Sequence, residues 1–187
     1  MSTFSSSSPK GLSELYKNLG MKSSMNSYNG LGATQLVYAL FGVQYFYSKY
    51  SDYEDPFMTK YEENESYTIY KLKDVLPIAY SIPEIFAKEV FVSKTTIAGS
   101  LDYQNEIFKK LTGIDDLYTS VDTIKYEKTK TVTAGQTGHY YMTVTGNAPE
   151  DLNLTKENDT FTKTFSGLNK HNHIVDLGYL KEGESIN

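Results

Sequence analysis

The sequence predicts an α+β fold: a small unit of helices and antiparallel sheet, followed by an antiparallel β region of the β-sandwich or jelly-roll kind. In the first part, apolar residues recur at the helical period. After Tyr118 the pattern changes to short alternating segments separated by turn residues. We therefore predict an α+β unit over residues 1–118 and a β-sandwich-like unit over 119–187. The second unit is expected to be truncated at its C-terminus.

Helices are predicted over three segments: 9–19, a second that starts at 33 or 34 and ends at 41, and 100–111. The first has Ser8 and Pro9 as a start signal and Gly20 as a left-handed stop. Its apolar residues lie at i, i+3, i+4 and i+7, at Leu12, Leu15, Tyr16 and Leu19. We expect Tyr16 and Tyr103 to lie in the core, because each falls on an apolar helical stripe.

Strands are predicted from alternation and from β-branched and aromatic residues. In the first part they cover 43–47, 67–72 and 78–82. Prolines at 77 and 83 bracket the last of these, which favours a short or edge strand. In the second part they cover 123–128, 130–133, 139–145, 161–165 and 174–177.

The composition excludes several kinds of chemistry. The 187 residues contain no cysteine, which removes thiol catalysis and thiolate metal sites. All 18 basic residues are lysine, so there is no guanidinium fork for bidentate phosphate recognition. The net charge is -5, with lysines and carboxylates interspersed, and we predict no nucleic-acid partner. A polyanion would need a local lysine patch, which the sequence does not show clearly.

The densest polar and aromatic cluster follows the predicted strand 43–47. We predict that Tyr50, Asp52, Tyr53 and Asp55 contact substrate, with tyrosine rings stacking on sugar C–H groups and carboxylates accepting hydroxyl hydrogen bonds. The alternative is an ordinary solvated loop. A calcium site is disfavoured, because the acids lack the Asp-x-Asp-x-Asp-Gly register.

Other constellations are too incomplete to assign. His171 and His173 lie two apart with Asp176 nearby, but a zinc site needs a further well-placed ligand, and His139 is the other histidine. No phosphate loop, dinucleotide fingerprint or nucleophile elbow is present, so we assign no cofactor, metal or catalytic residue. Neither a signal peptide nor a run of apolar residues long enough to span a bilayer is evident.

Four segments in sequence order carry a resemblance to a known family. They are 4–8 (FSSSS), 40–46 (LFGVQYF), 69–77 (IYKLKDVLP) and 104–113 (QNEIFKKLTG). The second is similar to a family segment LLGVKY, with Gln44 in the lysine position, and in the third Leu72 replaces an asparagine. In these features the chain resembles the extracellular domain of YfhO-family bacterial membrane proteins.

The resemblance implies a setting and not a reaction. It implies a non-catalytic domain on the extracellular face of a Gram-positive membrane, in a protein that transfers sugar from a polyprenyl-phosphate carrier to lipoteichoic acid. The domain would dock the acceptor or cap the membrane active site. The expected partners are teichoic acid or another cell-wall glycan and the parent membrane domain, whose spans provide the membrane attachment. The alternatives are a carbohydrate-binding module or a protein-interaction module of an exported cell-wall protein.

Overall fold

The computed structural model describes residues 2–4, 9–24, 27–49, 55–77, 79–82, 84, 88, 95–123, 130–156 and 162–187, with backbone alone for 2–4. The helices with described bounds are α1 (Lys10–Asn18), α2 (Gln35–Leu40) and α3 (Ser100–Thr112). The strands are β1 (Ser2–Phe4), β2 (Ser27–Asn29), β3 (Tyr45–Ser48), β4 (Met58–Glu63), β5 (Thr68–Leu72), β6 (Val132–Thr133), β7 (Gly138–Met142), β8 (Asp151–Thr155), β9 (Thr162–Ser166), β10 (Val175–Leu180) and β11 (Ser185–Ile186). The predicted α+β class is confirmed.

Contacts divide the chain into two compact units. One comprises residues 34–81, and the other combines residues 1–33 with 82–187. We call the first the inserted unit and the second the main unit. The predicted division at residue 118 rests on a change of hydrophobic period and stays a prediction.

The inserted unit is built on a three-stranded antiparallel sheet in the order β3-β5-β4. Strand alternation sends Met58, Tyr70 and Leu72 to one face, where they form a buried cluster with Tyr38 of α2 packed against it. Thr34 caps α2, since its hydroxyl accepts a hydrogen bond from the N–H of Val37. One face of the sheet is therefore covered.

In the main unit, one core forms around the turn that follows α1. Leu19, Ile107 of α3 and Ile174 are each at most 2% exposed. The side-chain amide of Gln104 donates to the carbonyl of Leu19 at 2.8 Å, and the N–H of Ile174 donates to the carbonyl of Gly20 at 2.8 Å. These bonds join sequence-distant segments and satisfy buried polar groups.

The β region of the main unit consists of antiparallel two-stranded ladders, β7–β10, β8–β9 and β6–β11. They share a second hydrophobic core, whose buried members are Leu154, Phe165, Leu168, Val175 and Ile186. A further ladder, β1–β2, pairs the two most N-terminal strands. The predicted antiparallel character is confirmed.

Several element predictions need correction. Residues 79–82 of the predicted strand 78–82 are not a strand, because the flanking prolines remove N–H donors and Tyr80 instead donates its hydroxyl to the carbonyl of Leu40 at 3.2 Å. Strands β1, β2, β4, β8 and β11 were not predicted. Most of the predicted strand 123–128 lies outside the described residues.

No helix that the structure describes combines the length and apolar character needed to cross a bilayer.

Candidate functional site

Four tyrosines gather on the open face of the sheet in the inserted unit. Tyr45 and Tyr47 alternate with the inward-facing Phe46, and the two tyrosines are 46% and 55% exposed. Tyr61 of β4 is 61% exposed, and Tyr67 lies just before β5. We call this set the tyrosine face. Exposure of three large aromatic side chains on one short sheet is uncommon unless the surface contacts another molecule.

Ring contacts organise the tyrosine face into two pairs. Tyr45 meets Tyr61 edge-on, with ring centroids 5.2 Å apart. Tyr47 and Tyr67 are tilted against each other, with centroids 5.3 Å apart. Both separations fall within the favourable range for aromatic pairs, so each ring restrains its partner. Ligand contact would then cost less side-chain entropy than contact with four independent rings.

Polar groups border the rings. The Tyr67 hydroxyl donates to the Glu62 carboxylate at 3.1 Å, and this bond and the carboxylate charge raise the pKa of Tyr67. The hydroxyl therefore stays protonated near neutral pH. Lys71 lies directly opposite Tyr45 in the ladder and adds a cation to the same region. Flat aromatic rings beside hydrogen-bonding groups suit a ligand with both C–H faces and hydroxyls, as sugars have.

The residues predicted from the sequence are distributed differently. Asp55 is buried and its carboxylate accepts hydrogen bonds from the Gln35 side chain at 2.8 Å and from the N–H of Phe57 at 2.9 Å. Such bonds fix the turn that leads into β4. Tyr50, Asp52 and Tyr53 lie outside the described residues. Substrate contact by these four residues stays a prediction.

A second polar cluster lies on the β7–β10 ladder of the main unit. The Asp176 carboxylate contacts the His139 ring at 2.6 Å, accepts from the N–H of Gly178 at 2.8 Å and lies 3.7 Å from the Lys163 ammonium. Burial by itself raises the pKa of Asp176, but these partners outweigh it and hold that pKa well below its ordinary value. The cluster secures the register shift between Asp176 and Gly178.

The remaining histidines do not converge on a metal site in the structure. His173 is fully buried with its Nδ1 near the carbonyl of His171 at 3.0 Å, while His171 is exposed. Burial, with a smaller contribution from the charge of Lys22, lowers the pKa of His173 and keeps the ring neutral. Among the described residues, no three metal-ligating side chains lie close enough to share an ion.

The tyrosine face is a candidate that the sequence analysis did not single out. The signal that would have found the tyrosine face is the YFY alternation at 45–47 together with the isolated Tyr61 and Tyr67. Pairing of β4 with β5 was the missing information, because it places Tyr61 beside Tyr45. Of the two helical tyrosines predicted in the core, Tyr103 is buried and Tyr16 is half-buried.

These features define the chain as a small α+β domain with an exposed aromatic surface and no membrane-spanning helix among its described residues. Comparison with protein families gives a more particular result. The family described as bacterial membrane protein YfhO matches residues 1–180. This chain belongs to the YfhO family. Membership relates it to membrane glycosyltransferases. Comparisons with curated proteins and with solved structures give no significant match.

Proposed function

We propose that this chain is an extracellular, non-catalytic domain of a YfhO-type membrane glycosyltransferase, which docks the acceptor glycan during sugar transfer to lipoteichoic acid. The sugar comes from a polyprenyl-phosphate carrier, and the catalytic residues lie in the membrane part of the protein. The observation that carries the proposal is the tyrosine face. Family membership supports the glycosyltransferase setting.

The tyrosine face supports glycan docking for two reasons. Its rings are held in pairs, so they present a preorganised apolar surface of the type that stacks on the C–H face of a sugar. The Glu62 carboxylate and the Lys71 ammonium supply an acceptor and a donor for sugar hydroxyls at the border of that surface. An exposed surface of this composition is better suited to binding a ligand than to catalysis, which supports a docking role.

The proposal is tested by calorimetric titration of the chain with deacylated lipoteichoic acid. We expect saturable binding that weakens about tenfold in Tyr47→Ala and in Tyr61→Ala, because an anchoring aromatic contributes roughly 1–2 kcal/mol. Tyr80→Ala is the matched control, since Tyr80 is an exposed tyrosine of the same unit outside the tyrosine face. Unchanged binding in both tyrosine-face variants would contradict the proposal.

A transfer assay tests the non-catalytic part. The chain is incubated with a polyprenyl-phosphate sugar donor and lipoteichoic acid, and sugar incorporation is followed by mass spectrometry. We expect no transfer above the protein-free control. Incorporation by the chain alone would show that catalytic residues lie within these 187 residues and would overturn this part of the proposal.

The same tyrosine face favours a second candidate function, a carbohydrate-binding module of an exported cell-wall protein. Such a module would bind neutral glycans as well as it binds lipoteichoic acid, because ring stacking does not require a charged ligand. Titration with a panel of neutral cell-wall glycans separates the two. Binding restricted to lipoteichoic acid favours the docking domain, and comparable binding of neutral glycans favours the module.

A further inference from the structure

The main unit contains an open cavity of about 420 Å³ next to the end of α1 and the segment that precedes β10. Lys17, Lys170 and His171 line it, together with the hydroxyl residues Ser23, Ser24 and Thr95. No carboxylate is among its described lining residues. A cavity with cationic and hydroxyl side chains and no acid is unusual in a chain whose net charge is -5.

The two lysines of this cavity differ from other lysines of the main unit. Lys156 and Lys163 lie near the carboxylates of Glu184 and Asp176. The side-chain ammonium groups of Lys17 and Lys170 form no ion pair or hydrogen bond with any residue that the structure describes. Their charges are therefore available to a ligand, at no cost from breaking an existing pair.

Hydroxyl groups complete the set of donors. Ser23 is 9% exposed, and its hydroxyl has no hydrogen-bond partner among the described residues. A buried hydroxyl without a partner carries a free-energy cost of about 1–3 kcal/mol, which a ligand that accepts its hydrogen bond would remove. Thr95 and Ser24 place further hydroxyls at the wall of the cavity.

From these observations we infer that the cavity is a binding site for a phosphate group, and we call it the phosphate pocket. A phosphate presents several acceptor oxygens and at least one negative charge, which match two free ammonium groups and neighbouring hydroxyls. Lysine binds phosphate as a point charge and needs no bidentate geometry, so the lack of arginine is no obstacle. The inference does not depend on the tyrosine face or on the proposed function.

The test uses inorganic phosphate and a soluble glycerol phosphate oligomer as probes, with binding followed by NMR chemical shifts of the backbone amides near Lys17 and Lys170. We expect saturable shifts that weaken as salt rises, because the attraction is partly screened. The double variant Lys17→Gln/Lys170→Gln should raise the dissociation constant about tenfold. No saturable shift with either probe, together with no vesicle binding, would overturn the inference.

The control variant keeps the total charge of the test variant. Lys10→Gln/Lys109→Gln removes two lysines of the same unit, whose ammonium groups lie near Glu14 and Asp115. We expect its affinity for both probes to stay within about twofold of the parent chain. An equal loss of affinity in the control would mean that net charge and not the pocket is responsible, and this too would overturn the inference.

A third probe distinguishes a lipid phosphate from a soluble one. Vesicles of phosphatidylcholine with one third phosphatidylglycerol are compared with pure phosphatidylcholine in a sedimentation assay. Pocket-dependent binding to the anionic vesicles alone identifies a lipid headgroup as the source, and pocket-dependent binding to the soluble oligomer identifies a free phosphate polymer. If the chain binds only vesicles, and the Lys17→Gln/Lys170→Gln variant binds them equally well, the inference is contradicted. The two proposals can fail separately, because phosphate binding is measured without reference to glycan binding by the tyrosine-face variants.

Discussion

The two compact units place their tyrosines in different environments. In the inserted unit, Tyr70 is buried on the covered face of the sheet, whereas Tyr45, Tyr47 and Tyr61 are exposed on the other face. In the main unit, Tyr28 and Tyr103 are both 4% exposed. Tyrosine therefore contributes to the core in both units, and in the inserted unit it also forms an exposed face.

The difference follows from what covers each element. The small sheet of the inserted unit has α2 packed against one face only, and strand alternation sends every second side chain to the open side. In the main unit, α1 and α3 surround their core tyrosines, and Tyr16 packs edge-on against Tyr28 at 5.0 Å. Aromatic content alone does not identify a binding surface, but aromatic residues on an uncovered face do.

The largest change in unfolding free energy is expected at the covered face of the sheet, and it tests the comparison most directly. Tyr70→Ala should lower the free energy of unfolding by about 4 kcal/mol, because it leaves a large cavity in the buried cluster. Tyr47→Ala, its counterpart on the open face, should change that free energy by less than about 0.5 kcal/mol. Urea denaturation measures both. Similar losses in the two variants would show that the tyrosine face is not a free surface.

The next largest effect concerns the turn in the main unit. Gly20 has a φ of 75°, and a Cβ there would collide with the Ile174 side chain and the Ser100 hydroxyl. Gly20→Ala should therefore cost about 3 kcal/mol of unfolding free energy, from backbone strain and overpacking together. Gly135→Ala is the control, because its Cβ would meet nothing within 4 Å. A change of under about 1 kcal/mol at Gly20 would contradict this account.

An intermediate effect is expected at the carboxylate of the β7–β10 ladder. Asp176→Asn should cost about 2 kcal/mol at pH 7, since it weakens the bonds to His139 and Gly178 and removes the charge near Lys163. Asp151→Asn, at an exposed position of β8, is the control.

The pH dependence of the Asp176 effect has a defined sign. The folded-state pKa lies below the ordinary value of 3.8, so the unfolded chain takes up the proton first as pH falls. The stabilisation by Asp176 is complete above about pH 5 and is lost progressively below 3.8. The difference between parent and variant should shrink on acidification, and a difference that grows would contradict the assignment.

The smallest expected effect comes from His173. Its pKa is below the ordinary 6.5, so the unfolded state binds the proton first and the folded state loses stability as pH falls below 6.5. The slope contributed by one proton is at most about 1.4 kcal/mol per pH unit. His173→Gln should flatten the profile by that contribution, and the exposed His171→Gln is the control. NMR titration should also show the His173 ring taking up its proton at a lower pH than an ordinary histidine does.

Much of the local structure could be predicted from the sequence. Helices α1, α2 and α3 follow from apolar periodicity, and each is followed by a glycine with positive φ, Gly20, Gly42 or Gly113, as a left-handed helix stop requires. Strand β5 was predicted to within one residue, because alternation and β-branched residues coincide there. Strand β4 was missed because its sequence, MTKYEE, reads as a charged segment.

The tyrosine face was not singled out from the sequence. The choice of 50–55 as the aromatic cluster depended on density along the chain, whereas Tyr61 and Tyr67 reach Tyr45 and Tyr47 through strand pairing. Asp55 carries the residue type expected of a sugar ligand, yet its oxygens are used by Gln35 and Phe57. Residue type indicates what chemistry is available, and burial decides whether a ligand can reach it.

The sequence by itself determined the α+β class, the helices and the YfhO family, because these depend on local periodicity and on short ordered motifs. The tertiary structure decided which residues meet. Lys17 and Lys170 are more than 150 positions apart and line one cavity, and no local pattern could show this in a chain whose lysines and acids are interspersed. Sites of this kind arise from long-range packing, since charges attract a ligand by their distance in space and not by their separation along the chain.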